Sequence, residues 1–233
     1  MTHGWTGQGR RTAQASGLVA LALGACLLTA LHLLPPTSEI SPVRRTLSEY
    51  ALGPGKWVFD VALLLVFVAS VLAFAEVARR RLSLPATVLG VLWTASLLVL
   101  VTFTKTDWSV GPSIGGLIHR YTSVVAFLSL PAAILLLARP VFPTMPGWRW
   151  LARALSVFSL LWFGTILAAI GYMMSGGPAW WRFLPLGLVE RMLVGSAVAA
   201  LAVLIAGLIR ARPVDAGAAD GPMSSAQSES RTW

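Results

Sequence analysis

Charge is scarce in this chain: of its 233 residues only 12% are Asp, Glu, Lys or Arg, and only nine are acidic, where an ordinary soluble domain carries about a quarter charged residues. So little charge excludes a soluble surface, and a mean hydropathy of +0.75 agrees. Cysteine is nearly missing as well. Cys26 is the single one, which excludes an intrachain disulfide and any cysteine-based metal motif. Histidine occurs three times, and no H-E-x-x-H spacing sets two zinc ligands on one helix. No G-x-S-x-G elbow surrounds Ser48, the serine beside Glu49. There is no internal repeat to mark inverted halves and no apolar run with a polar stripe along its length, so the usual signs of a carrier or a channel are missing.

Long apolar runs are plentiful. Hydrophobic residues make up 56% of the chain, and several runs approach the roughly 20 residues that an α-helix needs to cross about 30 Å of hydrocarbon. Six spans are predicted, at 16–34, 57–78, 85–104, 119–138, 150–174 and 185–209. The fold class is therefore all-α, a polytopic transmembrane bundle of six helices. Between the spans lie segments rich in Pro, Gly and Ser, such as PPTSEISP, RRRLSLP and RPVFPTMPG, which break helices. The first run resembles a signal peptide in following Arg10 and Arg11, but it ends in Pro35-Pro36 without a small-residue cleavage pattern and reads as a retained helix. The expected division is a cytoplasmic N-terminal tail at 1–15, a transmembrane domain at 16–210 and a disordered cytoplasmic tail at 211–233, where apolar periodicity is lost. Trp57, Trp108, Trp148, Trp150, Trp180 and Trp181 fall at span ends, the level of the lipid head groups. Pro131 is expected to kink the fourth span, and Gly195 with Ala199 forms a small-xxx-small pair suited to close helix contact.

Lys and Arg counts orient the bundle. With the N-terminus inside, outer segments hold Arg44, Arg45, Lys56, Lys105, Arg120, Arg182 and Arg191, and the other eleven of the 18 basic residues fall inside. The Arg79–Arg81 triplet in a short loop is a local signal that resists translocation. Both termini are thus expected in the cytoplasm of a multi-pass plasma-membrane protein. The net charge of +9 reads as topology rather than as a nucleic-acid surface, because the basic residues sit in small groups between apolar runs.

This orientation gathers polar residues on the outer side: His32, Glu49, Tyr50, Asp60, Asp107, His119, Arg120, Glu190 and Arg191. Glu76 is the exception, followed by Arg79 and Arg80 at helical ion-pair spacing. A carboxylate several residues into an apolar helix needs a partner, and for Glu190 the candidates are Arg44, Arg120 and Arg191. The pattern predicts a polar pocket open to the outer face, centred on the loop at 105–120.

Several of these residues recur in a known family. Leu47-Ser48-Glu49-Tyr50-Ala51-Leu52-Gly53 before the second helix, Thr106-Asp107 after the third, His119 opening the fourth and Glu190-Arg191 opening the sixth resemble the bacterial six-helix membrane family named domain of unknown function 998. The resemblance covers roughly residues 16–210. Where that family has a proline after the Thr-Asp pair, this chain has Trp108. The resemblance implies an architecture and a set of polar positions; it supplies no reaction.

Two readings of the pocket follow from the residue types. In one, the charges lock helix ends and loops together in a structural, lipid-binding or accessory protein. In the other, the pocket is an enzyme site for a lipid or isoprenoid. Asp107 or Glu49 would then exchange protons with His119, while Arg120 or Arg191 clamps an anionic head group and Glu190, Tyr50 and His32 complete the binding site. Zinc on His32, His119 and Asp107, and haem between the two histidines, are weaker variants. Neither metal nor cofactor is expected, and membrane lipids are the expected partners.

Overall fold

The computed structural model of the protein describes residues 3–210, and among these every regular element is helical. Helix α1 (His3–Leu33) leads through two 3-10 turns, Thr37–Glu39 and Leu47–Leu52, into α2 (Lys56–Arg79). Then come α3 (Leu84–Thr102), α4 (Ile114–Val141), α5 (Pro146–Met174), the single turn α6 (Trp180–Phe183) and α7 (Leu186–Arg210). Six of these helices are long and apolar enough to cross a membrane, and the chain is a multi-pass membrane protein. The expected tail at 211–233 lies outside the described residues.

Local chemistry sets the boundaries. Ser83 caps α3 by accepting a hydrogen bond from the Ala86 amide, with a proline in the first turn, the position where the missing N–H costs nothing. Ser113 does the same for α4 through the Gly116 amide at 3.0 Å. That cap starts α4 at Ile114, five residues before the predicted start, so His119 is in the second turn of a helix and not at a loop edge. The same helix continues through Pro131 and Pro140. Helical order in α1 likewise begins at His3, well before residue 16.

Helix α7 is the hub, packing against α1, α2, α4 and α5, while α4 also meets α3 and α5. Their shared core holds Leu130, Ile134 and Leu137 of α4 and Leu201, Leu204 and Ile205 of α7, all fully buried. Lipid tails are as apolar as leucine, so such contacts stabilise through close packing rather than through escape from water. Glycines therefore matter where helices meet. A Cβ at Gly90 would fall 2.1 Å from the Phe74 ring and one at Gly207 2.4 Å from the Phe142 ring. Gly195 is different, because nothing lies within 4 Å of where its Cβ would be. The expected small-residue contact is not made there, since packing selects the glycines opposite aromatic rings. Opposite the close-packed seam, Val88, Val91 and Leu98 of α3 and Leu161 and Leu167 of α5 are exposed, as lipid-facing residues should be.

The connections at 34–55, 103–113 and 175–185 share one end of the bundle, here the loop end. The turns at 80–83 and 142–145 mark the opposite, arginine end. There Glu76, fully buried, is paired with Arg79 and with Arg80 at 2.6 Å, and Arg80 donates to the Leu208 carbonyl at 2.9 Å. The ion pair expected from spacing thus also ties α2 to α7.

Candidate functional site

The site at the loop end begins with the N-terminus of α7. The first amides of any helix lack partners within it, and here the loop at 41–47 supplies one: the Leu188 amide donates to the Val43 carbonyl at 3.0 Å. Gly187 makes this approach possible, since a Cβ there would sit 2.3 Å from the Arg45 carbonyl and 2.7 Å from that of Pro42. Glu190, one turn further on, accepts a 2.7 Å hydrogen bond from the Leu47 amide. None of the expected arginines pairs with Glu190 among the described residues. The reason is geometric: the loop folds over α7 and brings a backbone N–H to the carboxylate, while Arg191 points to a different neighbour.

Arg191 stitches the same loop from the other side. Its Nη1 donates to the Arg45 carbonyl at 2.7 Å and to the Gly187 carbonyl at 2.9 Å. Its Nε is 2.6 Å from His32 Nε2. Arginine can only donate, so Nε2 accepts, and the proton of the imidazole is on Nδ1, which donates to the Leu28 carbonyl at 2.6 Å. His32 is therefore held as the neutral Nδ1–H tautomer. The ring of Tyr50 completes the group, edge-on to His32 with centroids 5.4 Å apart and 6.0 Å from the Arg191 guanidinium. Tyr50 is 1% exposed and anchors a small apolar cluster with Leu31, Leu47, Phe59 and Leu63.

A second network joins the first loop to the loop at 103–113. Lys105 pairs with Glu49 and donates to Thr46 Oγ1 at 3.1 Å. Arg45 reaches the other oxygen of Glu49 at a long 3.5 Å with its side chain 63% exposed. Between the two loops opens a cleft of about 370 Å³ whose walls include Arg45, Glu49, Lys105, Asp107 and Trp108.

Asp107 and His119, predicted as an acid–base pair, are turned to different tasks. Oδ1 of Asp107 accepts from the Ser109 amide at 2.9 Å and the Ser109 hydroxyl at 2.6 Å, closing its own turn. These bonds, hydroxyl first, act on the ionised form and hold the carboxyl below its ordinary value of 3.8. His119 is 6% exposed, and its Nδ1 is bonded to the Phe103 carbonyl at 2.7 Å, fastening α4 to the end of α3. Thr106 packs beside it against Gly116, where a Cβ would fall 1.9 Å from Thr106 Oγ1. Glu49, the other proposed acid, is bound to Lys105 and Arg45. Arg120 lies over the Trp108 ring at 5.9 Å. Asp60 pairs with Lys56 at 2.7 Å one turn away. His32, His119 and Asp107 do not gather into a metal-ligand set among the described residues.

The predicted residues thus divide into a staple (His32, Tyr50, Glu190, Arg191), a cleft wall (Glu49, Asp107) and a helix fastening (His119), with Arg120 apart from all three over the Trp108 ring. Sequence reasoning passed over Arg45 and Lys105, counted only as topology charges. An acid–base spacing of four between Arg45 and Glu49 was the available signal for the first. The second had none, because its partner is 56 residues away.

Comparison with known families returns a match to "Protein of unknown function (DUF998)" over residues 18–207. No curated protein and no solved structure matches the chain. The match spans all six apolar helices and both loops of the cleft, and so the chain belongs to the DUF998 family of proteins of unknown function.

Proposed function

We propose that this protein resides in the plasma membrane with its loop end outward and both chain ends in the cytoplasm, and that it works as a lipid-binding or accessory protein through the cleft between its first two loops. The observation that carries this reading is the cleft itself. It measures about 370 Å³, within the roughly 300–1,000 Å³ range of small-ligand sites. Its walls are preformed: Lys105 ties Glu49 across the gap, and Arg191 holds the backbone of Arg45. Trp108, 67% exposed at the rim, suits the head-group level of a bilayer. The orientation rests on the distribution of arginines, above all Arg79–Arg81 at the arginine end.

Acid–base catalysis on a lipid or isoprenoid draws no support from these contacts, because Asp107, His119 and Glu49 each bond elsewhere. The test combines topology with ligand retention. In a Cys26→Ser background, Val110→Cys, at a position 87% exposed, is expected to react with an impermeant thiol reagent added outside intact cells. The protein extracted with its surrounding lipid is expected to retain a lipid that Arg45→Gln releases. Labelling from the cytoplasmic face alone would refute the orientation, and retention unchanged by Arg45→Gln would refute the cleft.

A further inference from the structure

In the cleft, the Arg45 fork and Oδ2 of Asp107 have the most unused bonding capacity, and they are of opposite sign. Lys105 gives two of its three donors to Glu49 and Thr46, and the two oxygens of Glu49 take Lys105 and, at longer range, Arg45. Among the described residues the Arg45 guanidinium has only its long contact to Glu49, which leaves most of its five-donor fork unused on an exposed side chain that lines the cleft. On the other wall Oδ1 of Asp107 takes both Ser109 bonds, and Oδ2 makes no hydrogen bond within the described residues. The Trp108 ring beside it already attracts one cation, Arg120.

From this arrangement we infer that the cleft binds a zwitterionic aminophosphate, its phosphate on Arg45 and its primary ammonium on Asp107 beside Trp108. A simple anion would meet two carboxylates in the same walls, and a simple cation would meet Arg45 and Lys105. A ligand with one charge of each sign satisfies both, through a bidentate guanidinium–phosphate contact and an ammonium hydrogen bond to carboxylate supported by the aromatic face. The same chemistry is offered by an ethanolamine phospholipid head group and by a free aminophosphate. This inference rests on the lipid-binding reading above and narrows it to one head-group class.

The test uses the full chain in detergent micelles, titrated with phosphatidylethanolamine or with phosphatidylglycerol and followed by native mass spectrometry. Neither Arg45 nor Asp107 contributes its side chain to the apolar core, so Arg45→Gln and Asp107→Asn are expected to fold, which their thermal transitions check. The wild type is expected to prefer phosphatidylethanolamine by about tenfold, the scale of one hydrogen bond to a charged group. Asp107→Asn should abolish that preference while phosphatidylglycerol binding stays, and Arg45→Gln should weaken both lipids. Displacement by soluble phosphoethanolamine assigns the binding to head-group chemistry alone; failure to displace assigns it to the membrane lipid. Equal binding of the two lipids by wild type, or a preference that survives Asp107→Asn, overturns the zwitterion while leaving lipid binding in place if Arg45→Gln still weakens it. Lipid adducts indifferent to both substitutions overturn both readings.

Discussion

Removing the Glu190 carboxylate should release the first loop from the bundle. The 2.7 Å bond from the Leu47 amide to the Glu190 carboxyl involves a residue, Leu47, that is only 8% exposed, so in Glu190→Ala that amide loses its partner without gaining free water. A buried backbone donor left without its partner costs about 1–3 kcal/mol. The loss should be local, because Arg191 still holds Arg45 and Gly187 and the Leu188 amide still holds Val43. The readout is hydrogen exchange of the peptide around Leu47–Leu52 in detergent micelles. At about 1.4 kcal/mol per decade, opening of that segment should become roughly five- to hundredfold easier, with exchange in α4 unchanged. Glu190→Gln keeps an acceptor oxygen and should lose less than half as much. If Glu190→Ala left exchange in 47–52 at the wild-type rate, the staple would be decorative and the reasoning wrong.

Other expectations follow from neighbouring geometry. Gly187→Ala, whose Cβ would press on the Arg45 and Pro42 carbonyls, should destabilise by about 1–3 kcal/mol in thermal unfolding. Gly195→Ala meets open space and should be neutral or stabilising by up to about 1 kcal/mol; equal effects at the two sites would contradict the packing. A double-mutant cycle on Glu49 and Lys105, whose side chains are 21% and 18% exposed, should return a coupling of about 1–2 kcal/mol, above the surface range of up to about 1 kcal/mol. For Asp107, the Ser109 bonds favour the ionised carboxylate, so their contribution is fully present above pH 3.8 and is lost as pH falls through the lowered value. In a carboxyl NMR titration, Ser109→Ala should move the Asp107 midpoint upward; a midpoint that does not move would remove the assigned cause.

The bundle was legible in the sequence because a bilayer imposes length and apolarity on each span independently of its neighbours. Span ends were less so. The start of α4 depended on Ser113 as a cap, and a serine among Gly and Pro looks like any loop serine until the Gly116 amide is seen to use it. At the site, sequence reasoning found residues that had to be satisfied but not by what. Glu190 had to have a partner, yet that partner is a backbone amide 143 residues earlier, and amides leave no trace in residue type. His119 and Asp107 looked like a pair because they flank one loop, but each bonds to the nearest backbone or hydroxyl. Opposite charges near in sequence, such as Glu76 with Arg79 and Arg80, were read correctly because helix geometry alone joins them.

Photo-crosslinking with an ethanolamine phospholipid carrying a diazirine on its head group tests the central claim most directly. If the cleft is the binding site, crosslinks in the intact membrane should concentrate on the peptides containing 45–52 and 105–109 and fall away in Arg45→Gln. Crosslinks spread evenly around the helix ends, or unchanged in that variant, would contradict it.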